Sequence, residues 1–284
     1  MIKYKIFESD GKSEIGIIVG NVFGDTLDLP FGSEAHKSEQ TNRAQQLALA
    51  TGCTVLAFER PSTGHTRSII PLGIRRMDRV DSFVSEAAMV AKELADISEK
   101  QMETKKILLI GASAAGSYAI TMTHSQNIMP NGLGVFDPVG LIPLTRFAFA
   151  KTWLDHQLVE AARPAEHRNH NRAPAHGGAR GVLTSADYIR RLIPEVAHNL
   201  GFWSSGIVGK QLIEIANDKR YESIRLHVTI PQHTFTHRDE SPEQLASSGR
   251  LTFEQPPGTY HSWTDDAANF ANFANRVLLS MQNS

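Results

Sequence analysis

Cysteine is all but missing: Cys53 is the only one in 284 residues, which excludes an intramolecular disulfide and a zinc site built on several thiolates. Long apolar runs are missing too. None approaches the roughly 18 residues of a membrane span, and the N-terminus lacks the cationic-then-apolar layout of a signal peptide. Neither sign of charge is in excess, with 29 Lys and Arg against 30 Asp and Glu, so the balance calls for no nucleic-acid or membrane-surface partner. The expectation is a cytoplasmic globular protein. Cys53 heads the apolar run 54–58, a setting that favours a buried structural thiol over a nucleophile. The chain is long enough for one large α/β domain, or for a core domain carrying an insertion.

Short apolar runs and amphipathic stretches alternate through the first half. Residues 1–7 alternate apolar and polar as an exposed strand does, and Asp10-Gly11 is a strong turn signal leading into a second run, 15–19. That run ends in the glycine-bracketed loop Gly20-Asn21-Val22-Phe23-Gly24-Asp25, whose backbone can approach a ligand closely. Helical spacing follows from about Glu39 to Ala50, then a buried strand at 54–58 and a loop marked by Pro61 and Gly64. From Ser82 to about Lys100, Phe83, Val84, Ala87, Val90, Ala91, Leu94 and Ile97 recur three and four apart, the mark of an amphipathic helix. Strand and helix in alternation predict a mostly parallel sheet with helices on both faces.

Residues 107–121 carry the chemistry. Ile107 to Ile110 have the length and branching of a buried strand, residues 114–123 are small and helix-compatible, and Gly111-Ala112-Ser113-Ala114-Ala115-Gly116 turns between them. A serine on so tight a turn needs tiny neighbours two before and two after, where Gly111 and Ala115 stand. The same letters, Gly111-x-Ser113-x-x-Gly116, also fit a dinucleotide turn whose middle glycine is replaced, with Asp137 about 20 residues on as a ribose-binding acid. That alternative is an NAD(P)-binding oxidoreductase. Ser113 as a simple helix cap is a third possibility.

Further along, the alternation stops between about 141 and 221. Helical segments are expected at 145–162 and 185–200, around Phe147, Trp153, Phe202 and Trp203. Residues 163–180 are rich in histidine, arginine, glycine and proline and read as a solvated loop. His167, His170 and His176, with Glu166, make only a weak metal motif there, so no metal or other cofactor is expected. Strands resume at 224–230 and 251–253, separated by the polar loop that holds Asp239. A Pro-Pro-Gly turn brings in His261, and Thr264-Asp265-Asp266 caps a last helix with Phe270, Phe273, Val277, Leu278 and Met281 on one face.

Ser113, Asp239 and His261 thus follow one another at strand ends, in the order of a serine, an acid and a base that needs orienting. With these residues the sequence resembles the α/β-hydrolase superfamily, in its cap-bearing branch, over most of the chain. The stretch from Ala57 to Thr66 is similar to the family's loop after its fourth strand, and Gly111-x-Ser113-x-Ala115-Gly116 to its nucleophile elbow in small-residue form. The resemblance implies a catalytic triad of Ser113, Asp239 and His261, with Asp137 after the sixth strand as the alternate acid. It implies an oxyanion hole from the backbone amides of Ala114 and Asn21. Val19 stands where the family usually has the histidine of a His-Gly pair, which leaves Asn21 and Val22 both open as the second donor.

The domains implied are a core of 1–142 and 223–284, and a helical cap of 143–222 inserted between the sixth and seventh strands. Trp153, Trp203 and Phe202 are candidates for the pocket lining or for the insertion's own core. The implied activity is a serine hydrolase acting through an acyl-enzyme on a small to medium ester, thioester, lactone or related carbonyl, with an acyl or aromatic small molecule as its partner. A binding protein that keeps the fold without catalysis is the remaining alternative.

Overall fold

Five of the apolar runs become strands buried along most of their length: β2 (Ile15–Gly20), β3 (Thr54–Glu59), β4 (Lys106–Ala112), β5 (Gly132–Phe136) and β6 (Arg225–Thr229). Such near-continuous apolar strands suit a parallel sheet covered on both faces. The edges are the half-buried β1 (Lys3–Phe7) and the more polar β7 (Leu251–Glu254). The computed structural model of the chain describes residues 2–9, 13–20, 39–60, 80–152, 200–232, 234, 250–259, 264 and 267–282. Among these the seven strands form one sheet in the order β1-β3-β2-β4-β5-β6-β7. All neighbours are parallel except β1, which runs antiparallel to β3.

Helices α1 (Glu39–Thr51), α2 (Val80–Gln101), α3 (Ser113–His124), α4 (Ile207–Asn217) and α5 (Ala267–Gln282) cover the sheet. The period of two along each strand divides the core. Leu109, Leu133, Val135 and Val228 face one layer with Phe83, Val90 and Leu94 of α2, Tyr118 of α3 and Leu212 of α4. Leu108, Ile110 and Phe136 face the other, with Leu47 of α1 and Phe270, Phe273 and Val277 of α5. Cys53 is buried in the second layer as a free thiol.

Several expectations change in detail. Strands β1 and β2, consecutive in the chain, are not neighbours in the sheet, because β1 pairs with β3 while β2 lies between β3 and β4. Counted along the described strands, residues 143–222 fall between the fifth and sixth, β5 and β6. The family numbering is one higher because β2 and β3 stand where it counts its third and fourth strands. Within 143–222 the described residues are helical over 146–152, 200–204, 207–217 and 219–221, with one isolated bridge between Pro143 and Ser205. Helix α4, absent from the sequence expectation, is built into the layer over the sheet: Val208, Leu212 and Ile215 are fully buried, and Gln211 accepts a 2.8 Å hydrogen bond from Thr121 of α3. No described helix is long and apolar enough to cross a membrane.

At the far edge His227 of β6 is buried beside the Phe273 ring, with Nε2 3.5 Å from Glu254 Oε2, and Glu254 accepts a 2.9 Å bond from Arg276. Burial above all, helped by the Arg276 guanidinium, pushes the His227 imidazole below its ordinary pKa, against the pull of Glu254. The folded state therefore resists a proton that the unfolded chain accepts below about pH 6.5, so stability falls as pH drops through that value. Thermal melts of His227→Gln should lose less stability than the parent between about pH 6.5 and 5. Parallel curves for the two would show that this imidazole does not contribute.

Candidate active site

The junction of β4 and α3 is shaped by what Gly111 lacks. A Cβ there would lie 2.5 Å from the backbone carbon and oxygen of Ala115 and 2.6 Å from the nitrogen of Gly116. Only hydrogen fits, and the first turn of α3 consequently packs straight back onto its own strand. Ser113 sits between them in the left-handed region, at φ 52°, a conformation that costs a non-glycine residue of order 1 kcal/mol or more and concentrates at functional sites. Nor does serine act here as the helix cap. The cap position is Ala112, with extended backbone and no side-chain hydrogen bond to the helix. Ser113 is only half-buried while its neighbours Ala112, Ala114 and Ala115 are buried.

Asp137 stands beside it. Ala112 and Phe136 are register partners at the ends of β4 and β5, and Ser113 and Asp137 are the residues that follow them in the chain. Asp137 also has left-handed backbone, φ 42°, and is completely buried. Its amide donates to Thr229 O at 2.8 Å, and its two carboxylate oxygens share the Thr234 hydroxyl at 2.7 and 2.8 Å. The chain after it is held against the elbow helix, since Ser117 donates to Val139 O at 2.6 Å and a Cβ on Gly116 would come 3.3 Å from Pro138 Cβ. A carboxylate so enclosed is not open to a ribose, which removes the support that Asp137 lends to the dinucleotide alternative.

The surroundings add charge and aromatic packing. Gly20 closes β2 against the same helix, where a Cβ would be 3.6 Å from that of Ala115. Ala114 lies in the first turn of α3, whose amides have no carbonyl four residues back to bond and sit at the positive end of the helix dipole. Arg60, buried at the end of β3, lies 5.6 Å from the centre of the Tyr118 ring. Burial chiefly, with the Glu86 carboxylate, raises the Tyr118 phenol well above its ordinary range despite Arg60, so it stays protonated. Phe202 is a core residue, stacked on Phe83 at 3.7 Å, and Phe83 meets Tyr118 edge-on at 5.3 Å. Trp203 packs on Phe149 at 6.1 Å. Asn21, Trp153, Asp239, His261 and the histidines of 163–180 lie outside the described residues. Thr234 carries no motif that the sequence could reveal, because its partner is 97 residues away.

No family model matches the chain, and no curated protein does. Solved structures do match. MenH from S. aureus superposes with a TM-score of 0.59 at 15% identity, covering 99% of this chain and 100% of that one. A serine hydrolase involved in carbazole degradation gives 0.59 at 13% identity, over 98% and 94%. The enol-lactonase from Burkholderia xenovorans LB400 gives 0.57 at 10% identity, over 98% and 96%. The chain has the α/β-hydrolase fold. In this chain β4 runs into α3 at Ser113, with the parallel strands β2 and β5 on either side of it.

Gly111→Ala tests the packing of the elbow. Its methyl would meet backbone rather than a movable side chain, so a loss of about 1–3 kcal/mol is expected in chemical denaturation. A variant as stable as the parent would mean that β4 and α3 do not approach as described.

Proposed function

We propose that the protein is a serine hydrolase working through an acyl-enzyme. The observation that carries this reading is Ser113: a half-buried hydroxyl on left-handed backbone, between a central strand and a helix N-terminus, in a chain with the α/β-hydrolase fold. Strain of this kind is retained where it serves a function. In the proposed reaction His261 takes the Ser113 proton and Ser113 Oγ attacks a substrate carbonyl carbon. The amide of Ala114, with one from the segment after Gly20, holds the oxyanion. Collapse of the tetrahedral intermediate expels the leaving group, which takes its proton from the imidazolium. Water, activated by the same imidazole, then releases the acid. Of the acids pointed to by the sequence, Asp239 and Asp137, one holds the imidazole in the correct tautomer.

The substrate class is a small to medium ester, thioester or lactone. The similarity in fold to an enol-lactonase supports a carbonyl substrate without choosing among these.

A fluorophosphonate probe followed by peptide mapping should place its adduct on Ser113, and Ser113→Ala should lower p-nitrophenyl ester turnover by about 10⁴-fold or more with the fold unchanged by circular dichroism. An adduct on another serine, or unaltered turnover, would sink the assignment. Saturable NAD(P) binding would revive the oxidoreductase alternative.

A further inference from the structure

Ser117 stands one turn beyond Ser113 on α3 and is completely buried. Its hydroxyl lies 3.3 Å from Ser113 O and 2.6 Å from Val139 O. A hydroxyl has a single proton to give, so the shorter contact takes most of it. That contact joins the elbow helix to a segment 22 residues away, and the segment is itself held in place. Gly140 has left-handed backbone, φ 84°, and a Cβ on it would come 2.9 Å from Trp203 O. A Cβ on Gly209 of α4 would be 2.0 Å from Leu141 O, and Leu144 N donates to Ser204 O at 2.8 Å. On the other side, a Cβ on Gly116 would stand 3.3 Å from Pro138 Cβ. Residues 138–144 are thus clamped between α3 and the chain around α4, and Ser117 is a side chain by which the elbow helix grips them.

Taking the serine hydrolase reading as its basis, we infer that Ser117 is a positioning residue for the nucleophile. It anchors the first turns of α3 to Val139, so that Ser113 keeps its left-handed backbone. A serine at φ 52° stays there only while its surroundings over-determine it. On the strand side the β4–β5 ladder reaches Ala112 and Phe136. On the helix side the close approach of Gly111 to Ala115 limits how near the two backbones can come. Steric contact of that kind repels and does not hold. The Ser117 hydrogen bond attracts, and it fixes the helix along a direction that the packing of Gly111 leaves open. With the hydroxyl gone, α3 can shift on residues 138–144 and Ser113 can relax toward ordinary helical backbone. A misplacement of about 1 Å at a reacting group can cost about 10²-fold in rate. Thr121, one turn further on, offers the control: its buried hydroxyl lies 3.0 Å from Ser117 O and 2.8 Å from Gln211 Oε1. It joins the same helix to α4 with the same chemistry, about two turns from Ser113.

The test compares Ser117→Ala, Ser117→Thr and Thr121→Val with the parent in the full chain, at a temperature where circular dichroism shows each one folded. The readouts are p-nitrophenyl ester turnover and the rate of fluorophosphonate labelling at Ser113. Ser117→Ala should lower kcat by about 10–100-fold with KM little changed, and should slow labelling in step. Ser117→Thr keeps the hydroxyl and should recover most of both rates. Thr121→Val should melt earlier than the parent, as Ser117→Ala does, because each loses a buried hydrogen bond. Its kcat and labelling rate should nevertheless stay at the parent's level. The inference alone is overturned if the parent is active and labelled on Ser113 while Ser117→Ala is equally fast. It is also overturned if Ser117→Ala and Thr121→Val lose rate alike, or if Ser117→Thr is as slow as Ser117→Ala. A parent that neither hydrolyses the ester nor takes the label would defeat the hydrolase reading and this inference with it.

Discussion

Everything around the elbow depends on the closeness of two backbones. Where β4 enters α3, the Gly111 α-carbon stands so near the Ala115 carbonyl that no side chain can intervene. The chain must therefore reverse within a few residues, and the reversal leaves Ser113 in a conformation that a larger helix entry would relax. The neighbouring features suit that approach. Gly20 lets β2 come up against Ala115, and Gly116 lets the segment after Asp137 lie on the first turn of α3. One steric constraint thus brings the ends of three parallel strands to a single helix N-terminus.

Around that point the polar groups are held by partners distant in sequence. Asp137 is fixed from β6 and from the segment beyond it, and that segment in turn holds the turn after β7. Arg60 and Tyr118 pair on the opposite side, backed by Phe83 and by Phe202 from the stretch between β5 and β6.

Much of the fold was legible because it rests on local periodicity. The spacing of Phe83, Ala87, Val90 and Leu94 gives α2 its buried face whatever it packs against, and the run from Ile107 to Ile110 makes a strand in any parallel sheet. Helix α4 was not legible. Gly206 and Gly209 sit at and just inside its start, where glycine ordinarily weakens a helix. The reason for Gly209 lies elsewhere in the chain, since a Cβ there would be 2.0 Å from Leu141 O. The two aromatics 202 and 203 were readable either as pocket lining or as core, and their partners Phe83 and Phe149 put them in the core.

The serine, its tiny neighbours and the alternation of strands and helices were determined by the sequence alone, because each is a property of a few consecutive residues. The strand order, the pairing of β1 with β3 and the company kept by Ser113 were decided only by the tertiary structure. Asp137 illustrates the division. In sequence it is one acid among several after an apolar run, open to a dinucleotide as readily as to a hydrolase. Its meaning comes from a register with β4 and a hydroxyl 97 residues away, relationships between distant segments to which no local pattern corresponds.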